Sequence, residues 1–249
     1  MAVIDQAMLL AAGLGTRMRP LTDDLPKPLL PVNGRSMLIR ALDKLAEAGV
    51  TRAAINTHYL GHKVHEHLYD YTDVDISFFD ESEILDTGGG VKNALPFFGD
   101  RPFFCINTDL VWTDGPSGPA LTRMAEAWDE AAMDGLMLMV PVAKAVGLEG
   151  KGDFDIDPAG SGLGRLSNPG WDKATAKPQR DYFWMAAQIM HPRIFNDIDE
   201  TRFSNRLPWE KSLTWGRLWG IAHDGGGFHA GTPPDLALVD RLIAEIEQG

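Results

Sequence analysis

"LLAAGLGTRMRPLTDDLPKPLLPV", residues 9–32, decides how the rest of the chain is read. It begins inside an apolar run of strand character, QAMLLAA at 6–12. It then breaks into a loop with Gly13 and Gly15, the cations Arg17, Arg19 and Lys27, and prolines at 20, 26, 28 and 31. A buried strand that ends in such a loop is how a parallel α/β sheet presents its ligand edge, because ligands sit beyond the carboxyl ends of the strands. Gly13 and Gly15 tolerate positive φ and, lacking Cβ, let the backbone close on a ligand. Successive exposed N–H groups in such a turn form an anion nest. Arg17 adds a planar fork matched to phosphate oxygens and Lys27 a point charge. Pro26 and Pro28 limit the backbone freedom lost when Lys27 meets an anion. The stretch therefore predicts a loop that holds a small anionic ligand.

Outward from this loop, apolar runs alternate with helical patterns. SMLIRALDKLAEAG (36–49) predicts a helix capped by Ser36 and stopped by Gly49. RAAINTH (52–58), DISFFDE (75–81), PFFCINTD (102–109) and GLMLMVPV (135–142) predict further strands. GHKVHEHLYDY (61–71), GGGVKNALPFF (88–98) and PALTRMAEAWDEAA (119–132) predict the helices between them. Five strands alternating with helices predict an α/β fold: a Rossmann-like, mostly parallel central sheet with helices on both faces. The loops after LLAA and after CIN then share one edge of that sheet. Beyond about residue 143 the pattern changes to short strands and turns, and five of the seven tryptophans (Trp171, Trp184, Trp209, Trp215, Trp219) fall there. PPDLALVDRLIAEIEQ (233–248) predicts a closing amphipathic helix, and GGG at 225–227 a hairpin turn. The expectation is one domain over 1–249, with a smaller α+β extension from 143 covering the ligand edge.

The 249 residues carry 35 acids against 23 bases, a net charge of −12, which argues against a broad phosphate-contacting face and hence against a nucleic-acid partner. A chain of this length buries roughly 70–75% of its unfolded surface and needs neither disulfide nor metal to fold. Cys105 is the single cysteine and reads as a small buried hydrophobe in PFFCIN. No basic-then-apolar leader and no apolar run near 18 residues is present, so the expectation is a cytoplasmic protein with no membrane partner. His58, His62, His65 and His67 beside Glu66 admit a zinc site; a solvated helix face is the preferred reading. No Ser–His–Asp set or H-E-x-x-H motif is visible.

The glycine loop is not a P-loop, and Met18 stands where the third glycine of G-x-G-x-x-G belongs. The composite G-x-G-T-R-M-x-P followed by P-K-P instead resembles the signature of the sugar-1-phosphate nucleotidyltransferases, also called nucleoside-diphospho-sugar pyrophosphorylases. LDTGGGVKNAL, INTD, GKGDFDI, MHPRIF and HAGTP follow in that family's order, so the resemblance extends over most of the chain. Within the family it is greatest to the bacterial uridylyltransferases acting on N-acetylmuramate 1-phosphate, with the mannose-1-phosphate guanylyltransferases as the alternative.

The resemblance implies a nucleoside triphosphate and a sugar 1-phosphate as partners, joined into an NDP-sugar with release of pyrophosphate. UTP and N-acetylmuramate 1-phosphate, as in peptidoglycan recycling, are the expected pair. It implies a nucleotide-binding half at 1–142 and a sugar-binding half at 143–249. Leu10, Ala11, Ala12 and Gly13 would meet base and ribose, and Gly15, Thr16 and Arg17 the β- and γ-phosphates. Lys27 would neutralise the α-phosphate or the sugar phosphate. Gly88 and Gly89 would pack on the nucleoside with Thr87 or Glu83 near the base, and Asn107 would complete the nucleotide wall. Gly152, Asp153 and Asn168 would face the sugar, with Lys151, Arg165 and Arg206 as neighbours and Ala186 and Ala187 tightening that wall.

Asp109, at a predicted strand end, matches the family's first Mg²⁺ aspartate, with Thr108 where glycine is common. The second metal aspartate belongs in D-x-G-T, but this chain has HAGT, which puts His229 there. Either His229 contributes little and Asp109 with phosphates holds Mg²⁺, or His229 ligates and favours Mn²⁺ or Co²⁺. The expected catalytic set is Arg17, Lys27 and Asp109 with a divalent cation. From another class, the chain reads as a catalytically silent nucleotide-binding subunit, which His229 favours and the three retained side chains oppose. No β-helix acyltransferase segment is expected after the closing helix, and the oligomeric state stays open.

Overall fold

The computed structural model describes residues 4–148, 150–172 and 179–248. The first strand, β1 (Gln6–Leu10), shows how sequence period becomes architecture. Ala7 and Leu9 enter one core and Met8 the opposite one, all fully buried. A strand apolar on both faces must be covered on both, as the period-2 geometry of a strand requires. Phe104 and Ile106 against Phe103 and Cys105 repeat the pattern.

In chain order the strands are β1, β2 (Pro31–Val32), β3 (Arg35–Ser36), β4 (Arg52–Thr57), β5 (Asp75–Asp80), β6 (Phe103–Asn107) and β7 (Leu110–Trp112). They continue with β8 (Gly135–Pro141), β9 (Ala145–Val146), β10 (Asp155–Asp157), β11 (Leu163–Ser167), β12 (Tyr182–Met190), β13 (Leu218–Ala222) and β14 (Gly227–His229). The helices are α1 (Met37–Glu47), α2 (Gly61–His67), α3 (Asp86–Phe98), α4 (Ala120–Ala127), α5 (Arg206–Thr214) and α6 (Pro233–Gln248). Ser36 caps α1 as expected, its Oγ accepting from the Ile39 amide at 3.2 Å. Leu38, Ala41, Leu42 and Leu45 of α1 and Leu121 and Met124 of α4 cover one face; Val91, Ala94 and Phe98 of α3 and Trp209 of α5 cover the other.

The central sheet has nine strands in the order β10-β11-β13-β8-β12-β6-β1-β4-β5. The block β6-β1-β4-β5 is parallel, as the alternating pattern implies. The sheet as a whole is mixed, because β12 lies antiparallel between β6 and β8 and β11 antiparallel to both β10 and β13. The strand at 135–141 therefore does not neighbour β6; a strand from the later half intervenes. A three-stranded sheet, β7-β14-β9, flanks the carboxyl end of β6. GGG at 225–227 is not a hairpin turn: it leads from β13 in the large sheet to β14 in the small one. Those glycines are there for close approach, since a Cβ on Gly225 would lie 1.9 Å from the Thr113 carbonyl oxygen and one on Gly227 2.5 Å from Met185 Sδ.

No helix among the described residues is long and apolar enough to cross a membrane. Cys105 is buried and its thiol is pushed up to about 12 by desolvation, the behaviour of a small apolar residue. The histidines of 58–67 go separate ways: His58 Nδ1 lies 2.8 Å from the Glu81 carbonyl oxygen, His65 stacks on Phe78, and His67 Nε2 lies 2.8 Å from Ser36 Oγ. Among the described residues no cluster of three or more His, Cys, Asp or Glu side chains could hold a metal ion.

Burial lowers the pKa of His67 and, more completely enclosed, of His223. Both take up a proton in the fold at lower pH than free histidine, whereas the unfolded chain does so near the ordinary pKa of about 6.5. Protons thus bind the unfolded state first, and stability is lost as pH falls from about 6.5 toward the depressed folded values. Melting temperatures from pH 8 to 5.5 should be flat above about 7 and decline below about 6.5, with a shallower decline in His223→Gln. An equal acid slope in that variant would exclude His223 as a contributor.

Candidate active site

The carboxyl ends of β4, β1 and β6 set three residues side by side: Asn56 pairs in register with Leu10, and Leu10 with Asn107. Above them a cavity of about 260 Å³ is lined by Leu10, Ala11, Ala12, Gly13, Gly15, Lys27, Asn107 and Asp109, all expected there. Asn56, Glu81, Ile84, Asp86, Thr87, Thr108 and Arg202 join them.

The glycine loop is held from beneath. Gly15 has φ +62, and a Cβ there would press on Thr22 and on the Lys27 stem at 3.1–3.2 Å. The Thr22 hydroxyl, fully buried, donates to the Gly15 carbonyl at 2.8 Å. A Cβ on Gly13 would meet nothing within 4 Å, so the space above it is open to a ligand. The turn Thr16–Met18 buries Met18 and leaves Thr16 and Arg17 exposed. Those two do not line the cavity, because the turn spends its inward position on the core.

A buried polar network fixes the loop to the far wall. Asn56 Oδ1 accepts from the Ala11 amide at 2.9 Å, and Asn56 Nδ2 donates to Glu81 Oε1 at 2.7 Å. Glu81 Oε2 accepts from the Leu85 amide, at 2.9 Å, just before α3. Thr108 Oγ1 donates to the Leu10 carbonyl at 2.8 Å, which gives the threonine a tethering task between the ends of β6 and β1.

At the end of β6, Lys27 Nζ donates to Asp109 Oδ2 at 2.9 Å. Asp109 Oδ1 is buried and has no hydrogen-bond partner among the described residues, and the same holds for Asn107 Oδ1. β14 returns antiparallel to β7 with His229 opposite Leu110, which brings His229 Nε2 to 4.0 Å from Asp109 Oδ2. Its other ring nitrogen, Nδ1, lies 3.2 Å from the Gly147 carbonyl oxygen. With a proton on Nδ1 for that carbonyl, Nε2 presents its lone pair toward Asp109. The ring rests on Gly231, where a Cβ would lie 2.6 Å from Cε1. A carboxylate with one orphaned oxygen, Oδ1, whose other oxygen faces an imidazole nitrogen at 4.0 Å, is a donor set that fits a divalent cation.

Gly88 and Gly89 are elsewhere occupied. Both amides donate to the Phe203 carbonyl, at 2.9 and 3.0 Å, and their missing Cβ atoms make room for the Phe203 ring and the Thr201 carbonyl. Neither glycine lines the cavity; segment 201–205 docks on them, completed by Phe203 N to Leu85 O at 3.1 Å and Asn205 N to Thr87 Oγ1 at 2.9 Å. Glu83 is exposed and off the wall, whereas Thr87 is on it. The docked segment carries Arg202 to the cavity, and Arg202 makes no hydrogen bond or ion pair among the described residues.

Gly152, Asp153 and Asn168 do not line the cavity. Gly152 has φ +78 and passes the Arg180 carbonyl, 2.8 Å from where a Cβ would be. Asp153 Oδ2 accepts from the Trp184 amide at 3.0 Å; burial pushes its carboxyl up against the opposing pull of that amide and of Arg180. Asn168 Nδ2 donates to Asp155 at 3.0 Å. Asp153 ties the 150–172 hairpin to β12 and Asn168 braces the hairpin internally, so these polar groups are engaged by the fold. Ala186, buried with φ +55, sits in a bulge of β12, and Ala187 faces Ile106. Arg206 pairs with Glu210 at 2.6 Å, Arg165 lies over Trp219, and Lys151 is exposed.

A Rossmann-like sheet with a glycine loop, a lysine and a carboxylate at the ends of β1 and β6 defines a nucleotide-handling transferase site. Residues 6–147 match the family described as Nucleotidyl transferase, and the chain belongs to that family. It is 33% identical over 244 residues to the N-acetylmuramate alpha-1-phosphate uridylyltransferase of Caulobacter vibrioides, spanning 96% of this chain and 97% of that protein. It is 37% identical over 111 residues to a mannose-1-phosphate guanyltransferase of Hypocrea jecorina, 43% of this chain and 30% of that one. A crystal structure of a UDP-glucose pyrophosphorylase complexed with UDP-glucose has the same fold, with TM-score 0.80 at 16% identity over 97% of this chain and 99% of that one.

Proposed function

We propose that the protein transfers a uridylyl group from UTP to N-acetylmuramate 1-phosphate, giving UDP-N-acetylmuramate and pyrophosphate, as a cytoplasmic step of peptidoglycan recycling. The observation that carries the reaction type is the Lys27–Asp109 contact at the mouth of the glycine loop, with Asp109 Oδ1 left unpaired. The uridylyl and muramyl assignments rest on the relative that spans the whole chain; the guanyltransferase likeness extends over 43% of it.

A sugar-phosphate oxygen attacks the α-phosphorus in line, the bond to the α,β-bridging oxygen breaks, and pyrophosphate leaves. The nucleophile is already ionised, so no general base is required and positioning with charge neutralisation suffices. The backbone of 10–15 cradles the nucleotide, Lys27 neutralises the reacting phosphates, and Arg17 closes on the leaving phosphates from the solvent side of the loop. Asp109 and His229 Nε2 would hold a divalent cation, Mg²⁺ or, given the imidazole, Mn²⁺ or Co²⁺. Such an ion supplies further charge neutralisation on the transferring phosphoryl group. The half at 143–249 forms the sugar-facing side through segment 201–205.

N-acetylmuramate carries a lactyl carboxylate, and Arg202 is a cation on the cavity wall with no partner among the described residues. A pyrophosphate-release assay over UTP, GTP and dTTP against N-acetylmuramate, N-acetylglucosamine and mannose 1-phosphates tests the reading directly. The UTP and N-acetylmuramate pair should dominate. Arg202→Met should raise KM for the carboxylate-bearing sugar by about tenfold or more, the worth of one charge-assisted pair, and leave KM for UTP near its starting value. A preference for GTP with mannose 1-phosphate would replace this reading with the guanylyltransferase one.

A further inference from the structure

We propose that the Lys27 ammonium is a resident occupant of the metal position, holding the Asp109 carboxylate in the substrate-free protein and yielding it when a polyphosphate enters. The inference rests on Asp109 as the metal-holding residue of the function proposed above. It goes further by assigning Lys27 a second task, that of keeping the free protein from loading metal ahead of nucleotide.

Three observations converge on it. Lys27 Nζ lies 2.9 Å from Asp109 Oδ2, with the lysine side chain 12% and the aspartate 30% exposed, so this is a half-buried contact rather than a fully solvated pair. The same oxygen is the one that His229 Nε2 approaches, at 4.0 Å. The ammonium therefore shares the oxygen between the two groups best suited to ligate a cation, while Asp109 Oδ1 stays unpaired. A divalent ion brought to that carboxylate meets a charge already in contact, and the two repel unless the lysine leaves. Two cations that compete for one carboxylate oxygen are coupled by a free energy worth on the order of tenfold in affinity.

The local backbone suits such an exchange. Lys27 is set in a short turn, Lys27–Leu29, between Pro26 and Pro28, so its Cα is fixed while the four-carbon stem can swing. Its stem passes under Gly15, and the open face of Gly13 lies on the same cavity, so a triphosphate over the loop is within the lysine's arc. A polyphosphate offers several negative oxygens against the single carboxylate, and moving the ammonium to it leaves Asp109 free for the incoming ion. Metal and phosphate binding then reinforce one another through the lysine, with the reciprocity that linkage demands.

The test is Mn²⁺ binding to the free protein, followed by loss of the hexaaquo Mn²⁺ electron paramagnetic resonance signal with no nucleotide or sugar present. Lys27→Met should bind Mn²⁺ about tenfold or more tightly than wild type. Arg202→Met, which removes a charge from the same cavity without touching Asp109, should stay within about twofold. Adding Asp109→Asn to Lys27→Met should abolish the gain. Lys27→Gln serves if the methionine variant melts below wild type.

No gain in folded Lys27→Met or Lys27→Gln overturns the inference and leaves the proposed reaction standing. A gain as large in Arg202→Met overturns it as well, since bulk charge would then explain the effect. A gain that survives Asp109→Asn removes Asp109 from the metal and takes that part of the proposed function with it.

Discussion

Lys27→Ala should lower turnover by about three orders of magnitude, the loss seen when a fixed positive group is removed from a developing phosphoryl charge. Lys27 is one of two described cations on the cavity wall, and the one set between the glycine loop and Asp109. The other, Arg202, sits on the docked segment across from the loop and is unpaired, so it has no comparable fixed place beside the α-phosphate. Because transfer to an ionised phosphate needs no proton abstraction, little else in the site is left to neutralise charge if Lys27 is absent. The loss should appear in kcat more than in the KM for UTP, since the glycine-loop backbone that cradles the nucleotide is untouched. Thr22 and the Gly15 turn hold the loop independently of the ammonium, so circular dichroism and the melting temperature should stay close to wild type. Turnover within tenfold of wild type in a folded variant would remove Lys27 from the reaction.

What the sequence makes legible is local. The strand run at 6–12, the glycine turn, Ser36 at its helix and the closing helix at 233–248 each declare themselves within a few residues, through period and turn chemistry. Asp109 and Lys27 were readable because both flank such signals. The far wall was not. Asn56 and Glu81 reach the cavity only because β4 lies beside β1 and β5 beside β4, and Arg202 only because 201–205 docks on α3 from more than 110 residues away.

The triple glycine at 88–90 shows the limit clearly. Glycine reports that something must come close, not what comes close. At Gly88 and Gly89 it is the Phe203 ring and the Thr201 carbonyl, and at Gly90 the Asn56 and Glu81 side chains, at 2.6 and 2.9 Å from where a Cβ would be. The antiparallel insertion of β12 was hidden for a similar reason: it is buried on both faces, so its composition matches that of a parallel core strand.

Asp134→Ala should cost about 2–4 kcal/mol of stability, toward the lower side of what breaking a buried ion pair costs because the two guanidinium partners are partly solvated. Asp134 precedes β8 at the pole of the sheet opposite the cavity, and its side chain is 4% exposed. Its Oδ1 accepts from Arg193 Nε at 2.5 Å and from Arg217 Nε at 2.8 Å. Both guanidiniums also donate to the Glu130 and Met133 carbonyls, and the Asp134 backbone pairs with Arg217 O and His191 N. One carboxylate thus gathers the start of β8, the end of β12 and the start of β13. Alanine would leave two cations facing each other across an emptied site, with the desolvation already incurred and no counter-charge.

For a chain of this length, about 3 kcal/mol corresponds to a fall in melting temperature of about 10 °C. Asp134→Asn keeps an acceptor and should lose less than alanine. Neither substitution touches the cavity, so turnover per folded molecule and both KM values should match wild type at 25 °C. A melting shift under about 2 °C for the alanine variant would mean that the two arginines are held by the backbone carbonyls alone.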